Sequence, residues 1–172
     1  GHELWAQSDA AGVDLLFEAA VAGGIPLIRA LRESLRGEPI TRVMGIVNGT
    51  TNFILTKMTE EGADYSAALS EAQRLGFAER DPTADVEGHD AAAKAAILAT
   101  LAFHTEVPLE KVHREGITAI TVAQMKAAKR DGFVIKLLAI ADGNAGEDSE
   151  ALQLRVHPTL ISKTHPLANV NG

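Results

Sequence analysis

Phe133-Val134-Ile135-Lys136-Leu137-Leu138-Ala139-Ile140 is an apolar run, and Leu152-Gln153-Leu154-Arg155-Val156-His157 alternates apolar with polar residues. Between them stands Asp142-Gly143-Asn144-Ala145-Gly146-Glu147-Asp148, made of turn formers. The three segments read as two strands joined by a hairpin connection. Upstream of them the pattern is helical. Val122 to Arg130 reads as a helix, and the Ala-rich stretch Asp90 to Phe103 as another. Tyr65 to Leu75 sets Ala68, Leu69, Ala72 and Leu75 on one face, with Gly76 as the residue that ends the helix. Thr51 to Thr59 is a further helix, ended by Gly62. Earlier still, Thr41 to Val47 and Val13 to Ala19 have the apolar density of strands, the latter of a buried one. Pro26 to Leu35 is a helix between them, with Pro26 in its first turn and Gly37 closing it. Gly1 to Ala11 reads as the tail of a helix. Strands early, helices in the middle and a late hairpin predict an α+β fold, a mixed or antiparallel sheet covered by helices on one face.

Composition narrows the function. The 172 residues suit one domain, and 46% apolar with 23% charged residues describes a soluble globular chain. A net charge of −7 repels phosphate backbones, which argues against nucleic acid or an anionic membrane as partner. Cysteine is absent, which removes disulfides, thiolate nucleophiles and cysteine zinc sites together. No apolar run approaches the roughly 20 residues of a membrane helix, and no signal peptide opens the chain, so a cytoplasmic location is expected. Neither G-x-G-x-x-G after a strand nor G-x-x-x-x-G-K-S/T occurs, so no nucleotide phosphate cradle is encoded. The six histidines show no paired metal spacing, and no serine has an evident base.

The chemistry concentrates between Gly76 and Lys94, which holds Glu79, Arg80, Asp81, Asp85, Glu87, His89, Asp90 and Lys94. Asp90 and Lys94 stand four apart on a predicted helix and share a face. On spacing alone two readings stay open. One is an exposed ion pair worth about 0.3–0.5 kcal/mol. The other is a lysine entering an apolar surface beside a carboxylate, poised to protonate an oxygen that develops negative charge. Asp85 or Asp90 is expected to cap the Ala-rich helix, which leaves Glu79 and one Asp for a cationic ligand group such as an amine.

The pattern Ala72-x-x-x-Gly76-Phe77-Ala78-x-x-Asp81-Pro82-x-x-Asp85-Val86-x-Gly88-x-Asp90-x-x-x-Lys94 closely resembles the signature of homoserine dehydrogenase, with ten or more fixed positions over 23 residues. The resemblance extends to Phe17-Glu18-Ala19-Ala20-Val21-Ala22-Gly23-Gly24-Ile25-Pro26, Asn48-Gly49-Thr50-Thr51-Asn52, Ile135-Lys136-Leu137-Leu138 and His165-Pro166-Leu167-Ala168. It implies reduction of L-aspartate 4-semialdehyde to L-homoserine with NADPH or NADH, on the route to threonine, methionine and isoleucine. Carried onto the matching positions, it makes Lys94 the proton donor and Asp90 a substrate ligand that orders the proton relay. Glu79 would bind the substrate ammonium, Asp85 would support Lys94 or the same pocket, Thr50 would line that pocket, and Gly76 would approach the nicotinamide. It also implies a sodium-type cation site at Glu18, Val21, Gly23 and Ile25, and a homodimer formed through the sheet.

Members of that family carry a Rossmann domain upstream, and a Gly-rich segment downstream that returns to the cofactor. The resemblance therefore implies that residues 1–12 are the remnant of a nucleotide-binding domain and that 13–172 form the catalytic and dimerisation domain. The expectation is a substrate half-site that does not catalyse hydride transfer alone. Two rivals stand beside it: a non-catalytic dimerisation or binding module of the same fold, and another semialdehyde-reducing dehydrogenase.

Overall fold

The computed structural model describes residues 2–143 and 152–171. Helix α1 (His2–Ala11) is followed by an irregular segment and by α2 (Leu27–Arg29), which widens into a π-turn over Ala30–Ser34. Strand β1 (Arg42–Gly45) leads into α3 (Gly49–Glu61), α4 (Tyr65–Leu75), the single turn α5 (Thr83–Val86) and α6 (His89–Phe103). A two-residue strand β2 (His113–Arg114) precedes α7 (Val122–Arg130), and β3 (Phe133–Asp142) and β4 (Gln153–Ser162) complete the sheet. A 3-10 turn over Pro166–Asn169 follows.

The helices begin and end where local chemistry directs. The Asp64 carboxylate accepts from the Ala67 N–H at the start of α4, and Gly76 closes that helix at φ +81°. Thr121 and Gln124 form a reciprocal capping box on α7. The order of strands is β1–β3–β4–β2, with β1 and β4 antiparallel to β3 and β2 parallel to β4. Register runs from Phe133 opposite Ser162 to Asp142 opposite Gln153, and from Arg42 opposite Asp142 to Gly45 opposite Ala139.

Alternate residues of β3 divide between two apolar clusters, as the pleat requires. Ile135, Leu137, Ala139 and Ala141 join Leu154 and Val156 against α3, α6 and α7, where Ile54, Leu55, Met58, Ala95, Ala99 and Met125 are buried. Leu138 and Ile140 face the other way, with Ile161 and with Ala168 of the C-terminal turn. The expected α+β architecture, a mixed sheet with its helices on one face, is the one observed.

Local expectations need correction. Val13 to Ala19 is irregular and mostly exposed, with Leu16 80% accessible, where a buried strand is predicted. A short apolar run does not by itself distinguish a strand from a packed loop, and this one is used otherwise. Phe17 meets the Trp5 ring edge-on, and the Glu18 carboxylate caps α2. Strand β4 continues through Pro158 to Ser162, because β2 pairs only with Arg155 and Val156 and leaves the rest of β4 as an edge that tolerates proline. Residues 77–89, a loop by composition with Pro82 and Gly88, include α5, and β2 carries no apolar pattern that foretells it. The expected hairpin connection lies, beyond Gly143, outside the described residues.

Lys136, the charged residue within the apolar run of β3, turns inward and is 3% exposed. Its ammonium donates to Asn52 Oδ1 at 2.9 Å, to Thr56 Oγ1 at 2.9 Å and to the Val170 carbonyl at 2.6 Å. Three acceptors satisfy its three protons, which is what allows a lysine to lie within the protein.

Candidate active site

The start of α3 and the start of α6 meet at one cluster of polar side chains. Asn48 is the N-cap of α3, and its Oδ1 accepts from the Thr51 N–H and the Thr51 hydroxyl, each at 2.9 Å. Its Nδ2 donates to Asp85 Oδ1 at 2.7 Å and to Asp90 Oδ2 at 2.9 Å. Lys94, one turn beyond Asp90, donates to that same Oδ2 at 2.7 Å and to the Val47 carbonyl at 3.1 Å. Both partners of this pair are partly buried, with side-chain exposures of 25% and 32%. Spacing alone leaves an exposed ion pair possible; the geometry instead sets Asp90 and Lys94 in a shared network with Asn48 and Asp85.

The other carboxylates of the segment differ in use. Asp81 accepts from the Thr83 hydroxyl at 2.6 Å and from its N–H at 3.1 Å, and these bonds hold its carboxyl below the usual carboxylate range. Glu79 is exposed and its carboxylate makes no ion pair among the described residues, while Gln73 Nε2 donates to its main-chain carbonyl at 3.0 Å. Neither Asp85 nor Asp90 caps α6, contrary to expectation. The N-cap is Gly88, at φ +77° and without a side chain to offer, and both aspartates turn to Asn48.

Thr50 donates to the Phe77 carbonyl at 2.6 Å and ties α3 to the turn that follows α4. A Cβ placed on Gly76 meets nothing within 4 Å, so the positive φ calls for glycine there and the side of the chain above it is open. Phe77 stacks on Phe53 at 4.8 Å between ring centroids and is 55% exposed beside this opening. From behind, the segment is held by Ile117 N–H on the Val86 carbonyl at 2.8 Å and by Thr118 Oγ1 on Glu87 Oε1 at 3.2 Å. Arg114 adds a bond to the Glu87 carbonyl.

The segment expected to hold a cation is a turn in which Ala22 and Gly23 both take left-handed φ, 62° and 56°. Val21 is fully buried and Ile25 is 66% exposed. Glu18, inside the segment expected as a strand, caps a helix instead. Its two oxygens accept from Ile28 N–H at 2.8 Å and Arg29 N–H at 2.9 Å. What the turn can offer a monovalent cation is therefore carbonyl oxygen rather than carboxylate. No group of three or more His, Cys, Asp or Glu that could hold a metal occurs among the described residues. An apolar cavity of about 440 Å³ lies elsewhere, where α1 and residues 15–20 approach α6. Its lining, which includes Leu4, Trp5, Leu15, Phe17 and Ile97, carries no titratable group. No helix among the described residues is long and apolar enough to cross a membrane.

Residues 26–172 match the sequence profile of the homoserine dehydrogenase family. The chain belongs to that family. It is 60% identical over 172 residues to the homoserine dehydrogenase of Synechocystis sp., covering all of this chain and 40% of that protein. To the Corynebacterium glutamicum homoserine dehydrogenase it is 58% identical over 170 residues, covering 98% of this chain and 38% of the relative. The crystal structure of a homoserine dehydrogenase from Thiobacillus denitrificans superposes with a TM-score of 0.94 at 49% identity, over 99% of this chain and 38% of that one. A hyperthermophilic archaeal homoserine dehydrogenase in complex with NADPH gives 0.77 at 33% identity, over 96% and 46%. The chain thus spans about 40% of the length of the curated relatives it matches.

Within this homoserine dehydrogenase region, reading by residue type overlooked Asn48, the residue that joins the two aspartates. Its place before a helix marks it as a cap. Nothing local indicates that its amide reaches partners 37 and 42 positions further on.

Proposed function

We propose that this chain carries the substrate side of a homoserine dehydrogenase that reduces L-aspartate 4-semialdehyde to L-homoserine with NADPH or NADH. The observation that carries the reading is the Asn48–Asp85–Asp90–Lys94 network within the family's matched region. A bound nicotinamide would supply the hydride to the aldehyde carbon. Arrival of that hydride turns the carbonyl oxygen into an alkoxide, and Lys94 transfers a proton to it. The ammonium has three protons, of which Asp90 and the Val47 carbonyl take two, leaving one for the reacting oxygen.

Asp90 keeps Lys94 aimed and offers its remaining oxygen to the substrate. Glu79, exposed and without an ion pair among the described residues, suits the substrate's ammonium group, with Asp85 and Thr50 shaping the floor between them. The open side of Gly76 suits close approach of the nicotinamide, so Gly76 is assigned to the cofactor. A sodium-type ion is assigned to the turn of Glu18, Val21, Gly23 and Ile25, held through carbonyls. Residues 1–12 are assigned to the end of a nucleotide-binding domain and 13–172 to a cytoplasmic catalytic domain that dimerises through its sheet. Met44, opposite Ile140 on the face away from the helices, is 39% exposed and supports that assignment. Hydride transfer is proposed for the complete enzyme and not for the 172-residue chain alone.

Lys94→Met in the complete enzyme is the test. A general acid contributes roughly 10²–10⁴-fold, so kcat for homoserine oxidation or semialdehyde reduction is expected to fall by about that factor. A variant that turns over within about twofold of the parent removes Lys94 from the chemistry.

A further inference from the structure

Asn48 is 5% exposed, and every hydrogen-bonding capacity of its amide is in use. The carbonyl oxygen accepts twice from Thr51 and the nitrogen donates once to each aspartate. Its orientation is thereby determined. Turning the amide over would set NH₂ against the Thr51 N–H and oxygen against two carboxylates. Because the oxygen also caps α3, the amide is as fixed as the helix it starts.

Two carboxylates that share one nitrogen within 2.9 Å repel each other, and the donor placed between them is what holds them side by side. Asp90 uses the same oxygen for Asn48 and for Lys94. The residue just before Asn48 supplies the second acceptor for Lys94, through the Val47 carbonyl. One turn of chain therefore aims the lysine twice, directly and through Asp90.

We infer that Asn48 is a positioning residue for the proton transfer, holding Asp85 and Asp90 side by side and so setting Asp90 against Lys94. The inference rests on the role proposed for Lys94 and adds to it a residue whose amide is fully engaged by protein partners. A misplacement of about 1 Å in such a constellation lowers turnover by about 10²-fold.

The test separates capping from positioning. Serine and aspartate are both good N-caps, but serine is too short to reach the two carboxylates and aspartate presents an acceptor where they need a donor. Asn48→Ser and Asn48→Asp, made in the complete enzyme and checked for fold by circular dichroism, are expected to lose about 10²-fold in kcat with KM for homoserine little changed. The Asp variant carries the test if the Ser variant does not fold. An unchanged kcat in a folded variant, whatever happens to KM, overturns the inference. The Lys94→Met enzyme assayed alongside tells the two failures apart. If it retains turnover, the assignment of Lys94 falls and the inference with it. If it is inactive while the folded Asn48 variants keep the parent kcat, only the positioning role falls.

Discussion

Gly116→Ala tests whether the acid segment is held from behind. A methyl group built on Gly116 overlaps the Val86 carbonyl oxygen and comes within 2.7 Å of Glu87 Cα and 3.2 Å of Glu87 C. Carbon atoms pack at about 3.5–4.0 Å, so the deficit to Glu87 Cα is close to 1 Å. All three obstructing atoms belong to main chain, so no side-chain rotation relieves the overlap. Overpacking of this kind costs about 1–3 kcal/mol. Separation of the two segments also threatens the Ile117 N–H bond to Val86 O, worth about 0.5–1.5 kcal/mol. Together these put the expected loss near 2–4 kcal/mol.

Asp85 immediately precedes Val86, so the same displacement draws its carboxylate from Asn48. Urea unfolding of the chain measures the stability loss, and turnover of the complete enzyme measures the second effect. Gly37→Ala is the control, because nothing lies within 4 Å of its added methyl group and its φ is not left-handed. A Gly116→Ala midpoint no lower than that of Gly37→Ala would refute the reasoning, because the segment behind the site would then be free to give way.

Lys136→Met removes the donor shared by Asn52, Thr56 and Val170, and is expected to cost about 1–3 kcal/mol in denaturant unfolding at neutral pH. Burial lowers the pKa of Lys136 from the ordinary 10.5, so between the lowered value and 10.5 the unfolded chain binds more protons than the folded one. The lysine's contribution to stability therefore rises with pH through that window and is lost as pH falls through the folded pKa. The difference between parent and Lys136→Met should widen in the parent's favour as pH climbs toward 10.5, and a flat difference would contradict the assignment. Thr121→Ala breaks the capping box of α7 and should cost about 1 kcal/mol, a fall in Tm of about 2–4 °C for a chain of this size.

What could be read from the sequence was what neighbouring residues decide among themselves. The spacing of Ala68, Leu69, Ala72 and Leu75 fits α4, and Gly76 ends it because a left-handed φ is cheap only for glycine. Val122–Arg130 is α7 as read, with its capping box contained within four residues. The long apolar run of β3 needed no partner to be recognised, and the spacing from Ala72 to Lys94 was enough for the family resemblance that the matched region 26–172 then bore out.

Tertiary structure decided the rest. Val13–Ala19 has the composition of a strand but finds no sheet edge, so its side chains serve Trp5 and the start of α2. Asn48 is a helix cap by local rules and a bridge between carboxylates only because α3 and α6 begin at the same place. Nothing local to Gly116 or Lys136 names the groups they meet. One abuts the main chain of Val86 and Glu87, beyond α6 and β2 in the chain, and the other donates to α3 across 84 positions. Caps, turns and periodicity are short-range and are written into adjacent residues. Which polar groups share a buried space depends on how whole elements pack, and no window of sequence contains that information.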